Sequence, residues 1–287
     1  MSSEATVDES CSNTVEPAEI AHRLVRARQL GGALAEFPGA IPATLADAYG
    51  VQDIGIRLFA QPVEGWKVGR IMPPQSSQFG ADRLAGPIFT RSISYLSSGP
   101  ATGRVFAGGF GAAEAELLLH VGRAPTRGQL TFSLEDAAAL IDRVHVGLEI
   151  ASSPMAAIND LGPPVIVSDF GNNNGLIVGP EIENWREANI DQWPVTLLID
   201  GQPVGTGSSA GFPDGALGSA RFLFELLARR GIVPAAGTWI SSGALTGVHP
   251  VRPGQSVEAR FGSERVLTAA CKIEYVPRES AWSQTTA

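Results

Sequence analysis

The chain has 287 residues, 44% of them hydrophobic, and a formal net charge of −8. That supplies apolar material for a substantial core in one or two domains, while the acidic balance and the lack of any Lys/Arg run argue against a nucleic-acid or anionic-membrane surface. No apolar stretch approaches transmembrane length, residues 1–9 lack the parts of a signal peptide, and two cysteines, Cys11 and Cys271, give no disulfide framework, so a reducing cytoplasm is the expected compartment.

In chain order, residues 1–16 are polar and acidic and are expected to form a disordered tail. Pro17 then opens a helix with an apolar stripe of Ile20, Leu24, Val25 and residues 27–30, stopped by Gly31-Gly32. Thr44 is placed to cap a second helix that runs through Tyr49, Ile54 and Leu58 to Gln61-Pro62. Short apolar or alternating runs follow at 66–68, 87–89, 110–121, 144–150 and 165–167, split by Gly, Pro and Ser, and these read as strands. Ser133-Leu-Glu-Asp136 has the spacing of a capping box for a helix through Ala137, Leu140 and Ile141. Asp200-Gly201 marks a tight hairpin, and residues 216–230 form an amphipathic helix closed by Gly231. Strands at 239–241, 256–261 and 266–275 complete an α+β chain in which a helical segment, 17–85, precedes a β-rich catalytic domain, 86–278, and a tail, 279–287.

The chemistry centres on three glutamates. Side chains two apart in a strand share a face, so Glu114 and Glu116 look into one cavity. Val144, Val146, Leu148 and Ile150 fill one face of the next strand, which turns Glu149 to the other. Exposed strand faces often carry Glu, and that reading stands beside the sharper one. Three carboxylates in one pocket repel each other and resist desolvation unless a cation joins them. Oxygen donors without nearby Cys or a His cluster point to Mg²⁺ or Mn²⁺ rather than Zn²⁺. Lys67, in Gly65-Trp-Lys-Val-Gly69, is either a buried partner for such acids or a lysine whose stem lies along the surface.

Gly65-Trp-Lys-Val-Gly69, Gly86-Pro-Ile-Phe89, Glu114-Ala-Glu116, Leu148-Glu-Ile150, Ser168-Asp169, Gly205-Thr-Gly207 and Ser241-Ser-Gly-Ala-Leu-Thr246 occur in the order found in a known family. From about residue 20 to 276 the chain resembles the 2-keto-4-pentenoate hydratases, 2-oxohept-3-ene-1,7-dioate hydratases and 4-oxalocrotonate decarboxylases of the fumarylacetoacetate hydrolase superfamily. The resemblance implies a mixed, largely antiparallel β-roll or sandwich behind an N-terminal helical segment. It implies Mg²⁺ or Mn²⁺ on Glu114, Glu116 and Glu149, catalytic roles for Lys67 and Asn172, and substrate contacts from Arg70, Asp169, Gly243 and Thr246. The expected reaction is that of a metal-dependent hydro-lyase on a small 2-hydroxydienoic or 2-oxo-enoic acid through a metal-stabilised enolate. A decarboxylase, an isomerase or biosynthetic enzyme using the same metal, and a non-catalytic scaffold are the alternatives. Relatives are homo-oligomers, and a hetero-complex with a pathway partner is conceivable on the same ground.

Three positions depart from the family pattern. Phe170-Gly171-Asn172 replaces the usual Asn-Ala-Ser after the Ser-Asp pair, Leu84 stands where hydratases commonly carry an Asp, and Arg70 takes the place of a Leu. Loss of an acid/base pair leaves enolate stabilisation intact but weakens water activation. Other motifs carry less. Gly207-Ser-Ser-Ala-Gly211 matches a nucleophile elbow in letters, yet it follows a hairpin rather than sitting on a strand-to-helix turn. No phosphate-binding glycine pattern is present. His120 and His145 share parity with Glu116 and Glu149 but lie four residues away, about 13 Å along a strand, and are read as structural. Cys271 reads as a small hydrophobe.

Overall fold

A computed structural model of the chain describes residues 16–96 and 101–278. The tails expected at 1–16 and 279–287, with Cys11, fall outside these residues apart from Glu16. The helices are α1 (Pro17–Leu30), α2 (Leu45–Phe59), α3 (Gln75–Phe79), α4 (Leu134–Leu140), α5 (Pro163–Ser168) and α6 (Gly215–Arg229). The strands are β1 (Val63–Arg70), β2 (Arg83–Phe89), β3 (Ile93–Tyr95), β4 (Ala101–Val105), β5 (Phe110–Val121), β6 (Ile141–Ser153), β7 (Asn173–Glu181), β8 (Val195–Ile199), β9 (Gln202–Gly207), β10 (Trp239–Ser241), β11 (His249–Pro250), β12 (Ser256–Phe261) and β13 (Leu267–Tyr275).

Local chemistry sets several of these boundaries. Gly31 closes α1 in the left-handed region at φ 62°, and the Thr44 side chain accepts the Asp47 amide at the start of α2. Ser133 and Asp136 form the reciprocal capping box of α4. Asp200 and Gly201 take φ values of 51° and 77°, the geometry that lets β8 fold straight back into β9. The run 165–167, expected as a strand, is instead the end of α5. Pro163 and Pro164 fall in the first turn, where a missing N–H costs nothing, and Val165 and Val167 are buried there.

The strands build two mixed sheets. One has eight strands in the order β2-β1-β10-β5-β6-β7-β3, with β11 also on β5; the other runs β4-β13-β12-β8-β9. Parallel pairs occur at β1–β10, β3–β7 and β4–β13, and the remaining pairs are antiparallel. The larger sheet curls so that Ile88 of β2, Leu118 of β5, Leu176 and Val178 of β7 and Trp239 of β10 meet in one apolar cluster. Its other face, with Leu117, Leu119, Val144 and Leu148, joins Val257, Phe261 and Cys271 of the smaller sheet and Leu223 and Phe224 of α6 in the main core. Helices α1, α2 and α5 pack through Ile20, Leu24, Val51 and Val165. The segment 17–85 is helical only in part, because β1 and the first three residues of β2 lie within it and belong to the large sheet. Among the described residues no helix is long and apolar enough to cross a membrane.

Candidate metal centre

Strand pairing brings the three acids together. β5 and β6 run antiparallel with Glu114 directly opposite Glu149, so the two side chains leave the same face, and Glu116 follows two residues along. Each offers an oxygen within 4.8 Å of the others, and all three residues are buried, Glu116 and Glu149 completely. From β1, on the far side of β10, comes Lys67, whose Nζ stands 3.3 Å from Glu149 Oε2 and is also buried. Lys67 is therefore the buried partner of the acids, not a surface-lying lysine.

The remaining contacts orient Glu116 and Glu149 and leave one oxygen of each open. Glu116 Oε2 accepts from the Ser241 hydroxyl and from the Gly243 amide at 2.8 Å. Glu149 Oε1 accepts from Asn173 Nδ2 at 2.9 Å. Glu116 Oε1 and Glu149 Oε2 are buried without a hydrogen-bond partner; the Lys67 ammonium sits near the latter but off the line of a hydrogen bond. Burial, with Glu149 adding to it and Lys67 opposing, pushes the Glu114 carboxyl up to about 7. Glu116 is raised well above the usual carboxylate range by burial and then by Glu149 and Glu114. Burial works against the Lys67 charge, but the three carboxylates outweigh it and hold the ammonium protonated. With all three carboxyls ionised, one ammonium would leave two negative charges uncompensated in a buried site, which is why Glu114 and Glu116 hold their protons so far above the ordinary range. Unpaired, hard oxygen donors with that charge suit one divalent cation.

The other expected site residues distribute unevenly around this centre. Gly243 lies beside it, and the same loop carries Thr246, whose Oγ1 is buried without a partner. Asn172 sits in a left-handed turn, 170–172, pressed against β2. Any side chain at Gly86 would place its Cβ 2.1 Å from the Phe170 carbonyl oxygen, so only glycine allows this approach. The turn's Gly171 lies against the Lys67 stem, and Asn172 Oδ1 is buried and uncommitted. Arg70 is exposed; it donates to the Gly211 carbonyl at 3.3 Å and lies over the Phe212 ring, which borders Gly243. Asp169 differs from expectation. It is fully buried, and its carboxylate accepts from Arg28 at 2.5 and 2.9 Å and from Ser153 Oγ at 2.6 Å, the contacts of a structural ion pair.

Three contributors escaped the sequence reading. Asn173 lay inside an Asn run that reads first as a turn, and Ser241 inside a motif with no role assigned to it. Arg28 lay in the apolar stripe of α1, yet it is the clamp of the 169–173 segment, donating also to the carbonyls of Ser152, Asp169 and Asn173. The decoys resolve simply. Ser209 is buried against Asp191, which caps α6 through the Ala216 amide, with no histidine in the arrangement. His120 pairs with Asp142 at 2.6 Å and His145 with the Gly179 carbonyl at 2.9 Å, both rings edge-on to Trp239. Cys271 is buried in the core, and burial pushes its thiol up to about 12.

Fold and site together define a β-roll protein with a buried carboxylate triad able to hold a divalent ion. No family model matches the chain. A 4-oxalocrotonate decarboxylase from a Pseudomonas species is 29% identical over 231 residues, 76% of this chain and 82% of the relative. The solved 4-oxalocrotonate decarboxylase of Pseudomonas putida, complexed with magnesium and adipate, superposes with a TM-score of 0.75 at 22% identity, covering 91% of this chain and all of that one. Fumarylpyruvate hydrolase from Pseudomonas aeruginosa, in complex with Mn²⁺ and pyruvate, gives a TM-score of 0.54 at 15% identity over 75% of this chain and 91% of its own. The chain is thus similar in sequence to 4-oxalocrotonate decarboxylases and shares the fold of the solved 4-oxalocrotonate decarboxylase and fumarylpyruvate hydrolase.

Proposed function

We propose that this protein is a divalent-metal-dependent lyase of small 2-oxo acids, and that the bond it breaks is the one to a departing carboxylate. The observation that carries the metal is the buried charge imbalance of Glu114, Glu116 and Glu149 against Lys67 alone. Relatives bearing the decarboxylase name, and solved neighbours holding Mg²⁺ or Mn²⁺ with small organic acids, support the same reading. Glu114, Glu116 and Glu149 would hold the ion, Mg²⁺ or Mn²⁺. Bound there, it supplies Lewis acidity at the 2-oxo oxygen, where enolate charge develops as the bond to CO₂ breaks.

The chain's own groups do the rest. The Lys67 ammonium receives the negative charge of the substrate or places a proton on carbon once CO₂ has left. Asn172 and Thr246 each present a buried polar atom with no internal partner, suited to orient a bound acid. Arg70, stacked over Phe212 at the margin of the Gly243 loop, offers a cation to a carboxylate at the substrate's far end. Hydration is the second reading, and it needs a group that activates water. Leu84, buried where hydratases commonly carry an Asp, supplies none, which favours decarboxylation.

The test is incubation with 4-oxalocrotonate and Mg²⁺, following ultraviolet absorbance and CO₂ release together. CO₂ formed in step with the absorbance change, and stopped by EDTA, is the expected result. Absorbance loss without CO₂ assigns hydration or isomerisation. No change with any small 2-oxo acid leaves only the scaffold reading.

A further inference from the structure

The chain that faces β5 is interrupted beside the carboxylate centre. β10 pairs Ser241 with Leu118, and β11 pairs His249 with Ala113. Between these pairs β5 advances five residues while the facing chain advances eight, so the segment 242–248 makes a detour. The Leu245 amide still reaches the Ala115 carbonyl at 2.9 Å, so much of the slack falls in residues 246–248. An interruption of this kind re-aims groups that a regular strand would hold in its ladder. Here it sends the Gly243 amide to Glu116 Oε2 at 2.8 Å and leaves Thr246 Oγ1 buried without a partner.

Two features hold the detour in place. His249 Nε2 lies 2.8 Å from the Thr246 carbonyl, and a carbonyl can only accept, so Nε2 carries the proton and donates. Strand β9 supplies the space. A Cβ on Gly205 would stand 2.3 Å from His249 Nε2, and one on Gly207 would stand 1.9 Å from the Leu245 carbonyl oxygen. Neither glycine has a positive φ, so what the two provide is close approach. The Gly205-Thr-Gly207 motif thereby acquires a role.

We propose that His249 is a positioning residue of the metal centre: its bond to the Thr246 carbonyl sets the loop so that the Thr246 hydroxyl meets the bound acid. This rests on the role given to Thr246 above, which Thr246→Val tests by itself. The Mg²⁺-loaded full chain is titrated calorimetrically with oxalate, a stand-in for a 2-oxo acid. His249→Leu should weaken oxalate binding roughly fivefold to tenfold, the size of one hydrogen bond. Mg²⁺ affinity should barely change, because Glu116 keeps its bond to Ser241. His249→Gln, whose Nε2 donates over a similar reach, should restore binding close to that of the wild type. Gly205→Ala, on another strand, should reproduce the loss by displacing the His249 ring, and it decides the matter if His249→Leu does not fold. A residue that merely packs would lower the melting temperature of the Leu and Gln variants alike and leave oxalate affinity alone. Wild-type oxalate affinity in a folded His249→Leu, or in Gly205→Ala in its place, would overturn the assignment, as would a Gln variant as weak as the Leu one. Should Thr246→Val bind oxalate as the wild type does, the role of Thr246 fails and the inference falls with it. Failure of the wild-type chain to bind oxalate with Mg²⁺ would instead refute the metal reading beneath both.

Discussion

Asn173 shows how much of the centre depends on groups that are not themselves candidates for the metal. Its amide fixes one oxygen of Glu149, while its own carbonyl is fixed by Arg28. Partners of this kind set the direction of a ligand's free lone pair, and their loss typically costs 10–100-fold in metal affinity. Asn173→Ala should therefore weaken Mg²⁺ binding roughly 10–100-fold, measured by calorimetric titration, with the fold retained. Glu114 and Glu116 carry a second consequence. Their carboxyls are raised in the folded, metal-free chain, Glu114 to about 7 from an ordinary 4.5. The stability that protonation provides is complete below the ordinary value and is lost as pH rises through the raised one. Metal-free protein should thus melt at progressively lower temperature between pH 4.5 and about 7. Mg²⁺ should restore more of the melting temperature at pH 7.5 than at pH 5.5. Thermal scans with and without EDTA check this, and a Mg²⁺ gain independent of pH would contradict it.

Elements differ in how openly the sequence declares them. Helix α4, the β8–β9 hairpin and the start of α2 each rest on two or three adjacent residues, so their signals are local and were legible. Strand β5 was readable from its alternation over Phe110–Val121, and so was the shared face of Glu114 and Glu116. The pairing of Glu114 with Glu149 was not, because α4 separates β5 from β6 in the chain and no tight turn between them marks the register. Helix α5 was misread because three buried aliphatic residues look alike in a strand or a short helix, and the deciding contact is with α2. The ion pair of Asp169 was hidden for a related reason. The resemblance marks the position, but only the approach of α1 reveals that Arg28 occupies its oxygens. This buried pair ties α1 to the turn that carries Asn172. Arg28→Met should destabilise the chain by roughly 3–5 kcal/mol in urea denaturation, because it strands Asp169 without a partner. A change below 1 kcal/mol would mean that the pair does not hold the turn.

Across the whole molecule, one curled sheet gathers residues from distant parts of the chain into a single buried site. Lys67 comes from β1, the triad from β5 and β6, Ser241 from β10, and Asn173 from the start of β7. The apolar cluster of Ile88, Leu118, Leu176, Val178 and Trp239 lies on that same curled face, and it helps keep water from screening the acids. Such an arrangement disfavours ionising all three carboxyls in the interior. Either protons or a divalent ion answer that cost, and only the ion lets all three ionise together. A crystal of the protein soaked with Mn²⁺ and oxalate, with data collected at the manganese absorption edge, examines that arrangement. The account predicts one anomalous peak shared by Glu114, Glu116 and Glu149, with oxalate on its open side. A peak elsewhere, or three glutamates that stay apart with no ion between them, would contradict it.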